Sequence, residues 1–196
     1  MTSNGNVREQ ITVALLGSTG SIGTQTIDVV ASEAERFRIT ALAAGSDVIA
    51  LAKQAAEIRP DVVVVADASR ARELSDLVPA GIAVEAGADA MAAVAASADV
   101  AVNAVVGFAG LPVTMATLAA GKRLALANKE SLIAAGPVVR TVRDIPGACP
   151  RIVGEACWRR SSAGSGPAIP EVLPGCLPGH AADVQPNMSS YIRLAH

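Results

Sequence analysis

The stretch Ile11-Thr12-Val13-Ala14-Leu15-Leu16-Gly17-Ser18-Thr19-Gly20-Ser21-Ile22-Gly23 joins an apolar strand to a helix through glycines at every third position, a pattern few chain geometries accept. Gly17 allows the sharp turn off the strand, Gly20 lets backbone N–H groups come close to an anion, and Gly23 lets the helix pack tightly on the strand. A diphosphate placed there sits at the positive end of the helix. The run is not a P-loop, because no Gly-Lys-Ser/Thr follows at the required spacing. Taken alone it is also compatible with a plain strand-to-helix turn. Its place at the head of a βα array favours a loop for the phosphates of a dinucleotide.

That array continues to residue 127. Short β-branched runs (11–16, 38–43, 61–66, 82–84, 100–106 and 123–127) alternate with Ala-rich helical stretches (24–31, 47–58, 69–77, 88–96 and 112–120). In Asp61-Val62-Val63-Val64-Val65-Ala66 the five residues after Asp61 are continuously apolar, as in a strand buried on both faces of a parallel sheet. Ser46 or Asp47 caps the second helix, Pro60 stops it, and Pro112 suits a first helical turn. Strict alternation predicts an α/β fold with a doubly wound parallel sheet, Rossmann-like, in which ligands bind beyond the carboxyl ends of the strands. The glycine loop, Gly45, Gly107 and Asn128 fall at those ends.

Composition narrows the partners. A net charge of −2 gives no basic field for nucleic acid, and 2% aromatics leave little for bases to stack on. Residues 1–10 are polar and lack the apolar stretch of a secretory leader, and no later apolar run is long enough and free enough of Gly and charge to span a bilayer, so a cytoplasmic setting is expected. At the end of the second strand, Ala43-Ala44-Gly45-Ser46 carries no carboxylate to repel a 2′-phosphate and a serine able to donate to one, which leans toward NADPH over NADH. Glu33 and Glu35 belong to the preceding helix end and read as a solvated face.

A second constellation, Ala127-Asn128-Lys129-Glu130-Ser131, stands at the exit of the last strand. Asn offers a donor and an acceptor, Lys a cation for an oxyanion or ketone oxygen, and Glu an acceptor for ribose or amide donors. The same residues also suit a helix start, with Asn128 as cap and Glu130 in the first turn.

Taken with Ala43-Ala44-Gly45, Asn103-Ala104-Val105-Val106-Gly107-Phe108-Ala109-Gly110-Leu111 and Leu126-Ala127-Asn128-Lys129-Glu130-Ser131-Leu132, the glycine loop resembles the amino-terminal domain of the 1-deoxy-D-xylulose 5-phosphate reductoisomerase family. The resemblance runs from about residue 10 to residue 140. It implies an enzyme of non-mevalonate isoprenoid biosynthesis. Such an enzyme rearranges the ketose phosphate on Mg²⁺ or Mn²⁺ and reduces the product with NADPH to 2-C-methyl-D-erythritol 4-phosphate. It further implies that Gly17, Thr19, Gly20, Ser21 and Ile22 hold the NADPH diphosphate, with Gly45 and Ser46 at the adenosine ribose. Asn128 and Glu130 would bind the nicotinamide side and Lys129 the substrate. Where the family often has Lys-Asn after that glycine, this chain has Ser46-Asp47.

Three units are expected: a flexible segment 1–9, the NADPH-binding domain 10–143, and an irregular tail 144–196. Seven Pro and six Gly fall in the tail, as do all three cysteines (Cys149, Cys157, Cys176) and both histidines (His180, His196). The family's Val-Asp-Ser-Glu-His metal segment is not found there. The remaining acids, Asp144, Glu155, Glu171 and Asp183, are too scattered for a hard cation, and the cysteines and His180 lack zinc-site spacing. The expectation is a truncated or frame-shifted product without a catalytic domain, monomeric where the family is a homodimer. The alternative to the family's full activity is a cofactor-binding domain that holds NADPH without turnover.

Overall fold

The computed structural model describes residues 10–128 and the pair 152–153. Seven parallel strands form one sheet: β1 (Ile11–Leu16), β2 (Phe37–Ala44), β3 (Val62–Val65), β4 (Ala83–Ala86), β5 (Val100–Asn103), β6 (Arg123–Leu126) and β7 (Ile152–Val153), ordered β4-β3-β2-β1-β5-β6-β7. The helices are α1 (Ser21–Ser32), α2 (Val48–Ile58), α3 (Ala71–Leu77), α4 (Ala88–Ser97) and α5 (Leu111–Ala119), with short 3₁₀ turns at Ala68–Arg70 and Gly107–Gly110. Strand order reverses between β1 and β5, which places a ligand crevice at their carboxyl ends.

Two apolar layers enclose the sheet. Val13, Leu15, Leu42, Val63, Val65 and Val102 face one side, where they meet Val30 of α1, Leu51 and Ala55 of α2, and Leu74 of α3. Ala14, Leu16, Ala43, Val64, Ala101 and Leu124 face the other, against Met91, Val94 and Ala95 of α4 and Val113 and Leu118 of α5. The buried residues of α2, Val48, Leu51, Ala52 and Ala55, follow the i, i+3, i+4, i+7 spacing of one helix face. Asp47, not Ser46, caps that helix by accepting from the Ala50 N–H at 3.0 Å, and Arg59 ends it in the left-handed region before Pro60. No described helix is long and apolar enough to cross a membrane.

Three features differ from, or add to, the sequence-based expectation. In β2, Ile39 pairs with Val13 while Ala41 pairs with Ala14, so Thr40 is an extra residue that bulges out and resets the in–out alternation. The fifth strand, expected to run to Val106, ends at Asn103, because the Asn103 side chain turns back on the Val105 N–H and the chain leaves the sheet. Within the segment expected to be irregular, Ile152 and Val153 pair with Leu124 and Ala125 of β6, a β-branched dipeptide adding to a sheet edge.

At the opposite end of the sheet, the Asp99 carboxylate accepts from the N–H and hydroxyl of Thr12 at 3.0 and 2.8 Å, and the Thr12 hydroxyl accepts from the Asp99 N–H at 2.9 Å. These hydrogen bonds, with the nearby Lys122 ammonium, hold the Asp99 carboxyl below its ordinary value. A lowered folded-state pKa contributes stability above the unfolded value, about 3.9, that is lost as pH falls through the folded value. Asp99→Asn is therefore expected to cost about 0.5–1 kcal/mol at pH 7, given its half-exposed setting. That difference from the unsubstituted chain should shrink below about pH 4. Urea midpoints at pH 7 and pH 3 check both parts.

Candidate functional site

The glycine turn is fastened to β2. The N–H groups of Gly17 and Ser18 both donate to the Ala43 carbonyl, at 2.8 and 2.9 Å, and Gly17 adopts φ +87°. A Cβ on Gly17 would lie 2.6 Å from the Ala104 carbonyl oxygen, and one on Gly23 would lie 2.3 Å from that of Gly17 and 2.4 Å from that of Ser18. Backbone packing alone demands both glycines. Gly20 and Gly45 differ. A Cβ on Gly20 would meet only the Gly17 oxygen at an ordinary 3.5 Å, and one on Gly45 would meet nothing within 4 Å. Both are exposed, so the room they leave faces outward.

Gly20 is the N-cap of α1, brings no side-chain acceptor, and is followed by no acidic residue in the first turn. The helix end keeps its positive partial charge. Thr19 and Ile22 are half-buried around it, Ile22 packing on the core, while Ser21 is exposed. Beneath the turn, Ser18 is fully buried, and its carbonyl accepts from Nε2 of Gln54 at 2.9 Å. Ser18 Oγ and Gln54 Oε1 are buried there without a hydrogen-bond partner among the described residues. Gln54 lies 36 positions from Ser18, and no local pattern pointed to it.

Beyond β2, Gly45 and Ser46 are exposed, and the Gly45 carbonyl accepts from the Asp67 N–H at 3.0 Å. Asp67 accepts from the Ser69 hydroxyl at 2.7 Å and its N–H at 3.0 Å, which lowers the Asp67 pKa. Arg70 pairs with Glu73 through two hydrogen bonds of 2.8 and 2.9 Å and also feels the charges of Asp67 and Asp47. The loops after β2 and β3 thus bring the carboxylates of Asp47 and Asp67 near the Arg70 guanidinium. Asp67 and Arg70 arrive from the adjacent β3 loop, which the sequence could not place beside Gly45.

On the other side of the switch point, Asn103 and Asn128 are buried. Asn103 Nδ2 donates to the Gly110 carbonyl at 2.7 Å and to Thr114 Oγ1 at 3.0 Å, while its Oδ1 accepts from the Val105 N–H at 3.2 Å. Asn128 Nδ2 donates to the carbonyls of Val105 and Gly107 at 2.5 and 2.6 Å. Gly110 is needed here, since a Cβ would lie 2.6 Å from Asn128 Nδ2. Sequence reasoning gave Asn103 no role. Its signal was an amide closing the buried strand Val100-Ala101-Val102. Lys129 and Glu130 lie outside the described residues.

Residues 13–136 match the 1-deoxy-D-xylulose 5-phosphate reductoisomerase family. The chain is 47% identical over 133 residues to the reductoisomerase of Acaryochloris marina, covering 65% of this chain and 33% of that protein. It is 50% identical over 131 residues to that of Thermosynechococcus vestitus, covering 64% and 32%. It therefore spans about a third of the length of these curated relatives. The Zymomonas mobilis reductoisomerase in complex with NADPH superposes with a TM-score of 0.70 at 34% identity, over 74% of this chain and 38% of that one. A reductoisomerase in complex with NADPH, fosmidomycin and magnesium gives 0.69 at 34%, over 74% and 36%. The chain belongs to the 1-deoxy-D-xylulose 5-phosphate reductoisomerase family.

Proposed function

We propose that this chain is the cofactor-binding part of a 1-deoxy-D-xylulose 5-phosphate reductoisomerase, works in the cytoplasm and takes NADPH across the crevice between β1 and β5. The observation that carries this reading is the α1 N-terminus at Gly20, which lacks a side-chain cap, together with Gly45 just past the end of β2, both with room for close approach at the Cβ position. Backbone N–H groups around Thr19, Gly20, Ser21 and Ile22 hold the diphosphate, which needs both the helix field and close backbone approach. Gly45 and Ser46 receive the adenosine ribose. Asn128 and Glu130 border the nicotinamide side, and Lys129 reaches the sugar phosphate.

NADPH supplies a hydride when bound, and this domain's work is to fix its position and exclude water on the sheet side. Among the described residues no group of three or more His, Cys, Asp or Glu could hold a cation, so no step through a metal is assigned to them. The test is fluorescence titration with NADPH beside an assay of NADPH oxidation with 1-deoxy-D-xylulose 5-phosphate and Mn²⁺. Metal-dependent oxidation supports the whole reading. Binding without oxidation restricts it to the cofactor half, and no binding by folded protein rejects it.

The Ser46-Asp47 pair has its own consequence. Asp47 is exposed and caps α2, and Asn caps a helix equally well, so Asp47→Asn removes a charge while leaving the fold intact. Without that carboxylate beside a 2′-phosphate, the NADPH-to-NADH affinity ratio should rise about threefold. Paired titrations at low ionic strength read the change.

A further inference from the structure

We propose that Asn103 is a positioning residue for the nicotinamide half of the cofactor site, holding the loop 104–110 in shape before any ligand arrives. The inference rests on the NADPH reading above and extends it to a residue that does not itself touch the cofactor.

Asn103 and Asn128 stand at the carboxyl ends of the neighbouring strands β5 and β6, and their side chains divide one loop between them. Asn103 takes the Val105 N–H and the Gly110 carbonyl, and Asn128 takes the Val105 and Gly107 carbonyls. Four backbone groups of one short loop are thus satisfied by two carboxamides. Thr114 Oγ1 ties the same Asn103 amide to the first turns of α5. Both Nδ2 hydrogens of Asn103 are committed and its oxygen is engaged, so its contribution is geometric.

The clamped loop borders the cofactor crevice. Ala104 donates its N–H to the Leu16 carbonyl at 2.8 Å, and its own carbonyl occupies the space that any side chain on Gly17 would need. In a doubly wound sheet the dinucleotide spans the switch point, and the adenosine ribose lies past β2. The loop after β5 therefore walls the opposite, nicotinamide half. Val106 and Phe108 on this loop are 87% and 66% exposed, so they are not what fixes its shape. The two amides fix it, and such preorganisation lowers the ordering cost of binding.

The experiment titrates the full chain with NADPH and with 2′,5′-ADP, which carries the adenosine half but no nicotinamide. Asn103→Ala should weaken NADPH about tenfold while changing 2′,5′-ADP less than about twofold, the size expected from losing one set of buried hydrogen bonds. Thr114→Val, nearly isosteric and removing one partner of the same amide, should give the same split at about two- to threefold. It decides the matter if the Asn103 variant does not fold. Equal weakening of both ligands, or of neither, overturns the inference while leaving the NADPH reading in place. An unsubstituted chain that binds neither ligand sinks that reading and this inference with it.

Discussion

Gly23→Ala is expected to destabilise the chain by about 3 kcal/mol and to abolish dinucleotide binding. The new methyl would sit 2.3–2.5 Å from backbone atoms of Gly17 and Ser18, and backbone cannot swing aside as a flexible side-chain tip can. The turn is moreover anchored, since Gly17 and Ser18 both donate to Ala43, so relief requires breaking those hydrogen bonds or lifting α1 off the sheet. Gly20→Ala is the matched control. Its methyl makes one ordinary contact, so stability should change by less than about 1 kcal/mol, while affinity should fall because the methyl enters the space proposed for the diphosphate. Urea unfolding and NADPH titration of the two variants separate packing from binding. Equal loss of stability in both would refute the division of roles among the glycines.

Leu15→Ala is expected to cost about 2–5 kcal/mol, a large part of the 5–15 kcal/mol typical of a whole domain. Leu15 is fully buried on the central strand and shares its apolar layer with Leu42, Val63, Val102 and the helices on that face. Neighbouring strands restrict collapse into the void, so loss of transfer energy and an unfilled cavity add together. Ile49→Ala, on the outer face of α2 and 70% exposed, should stay within about 0.5 kcal/mol. A similar urea midpoint for the two variants would mean that this layer is not the core.

Much of this architecture was readable because its signals are local. β1 was delimited at Ile11–Leu16 by its apolar run and the following glycine, and the alternation of elements implied helices on both faces. What escaped depends on contacts far apart in the chain. The early end of β5 follows from a side chain folding back on the backbone, and the Thr40 bulge follows from pairing with β1. The Ile152–Val153 strand exists because β6 offers an edge. At the site, the glycine spacing assigns the turn to Gly17, close helix packing to Gly23 and open approach to Gly20, and the fold adds which backbone atoms enforce this: those of Ala104 against Gly17, and those of Gly17 and Ser18 against Gly23. The sequence marks Asn128 as a polar group at a strand end, and only the fold reveals that its Nδ2 also holds the carbonyls of Val105 and Gly107.

The Thr12–Asp99 clip joins positions 87 apart, and β1 pairs with β5 along the same seam. During synthesis β1 can find β2 early, but its other edge waits until residues 100–103 have left the ribosome. A central strand that is half-paired for so long is a template for illicit pairing between nascent chains. Crowded, fast translation should therefore drive this protein into inclusion bodies, and slower production at low temperature should favour its recovery.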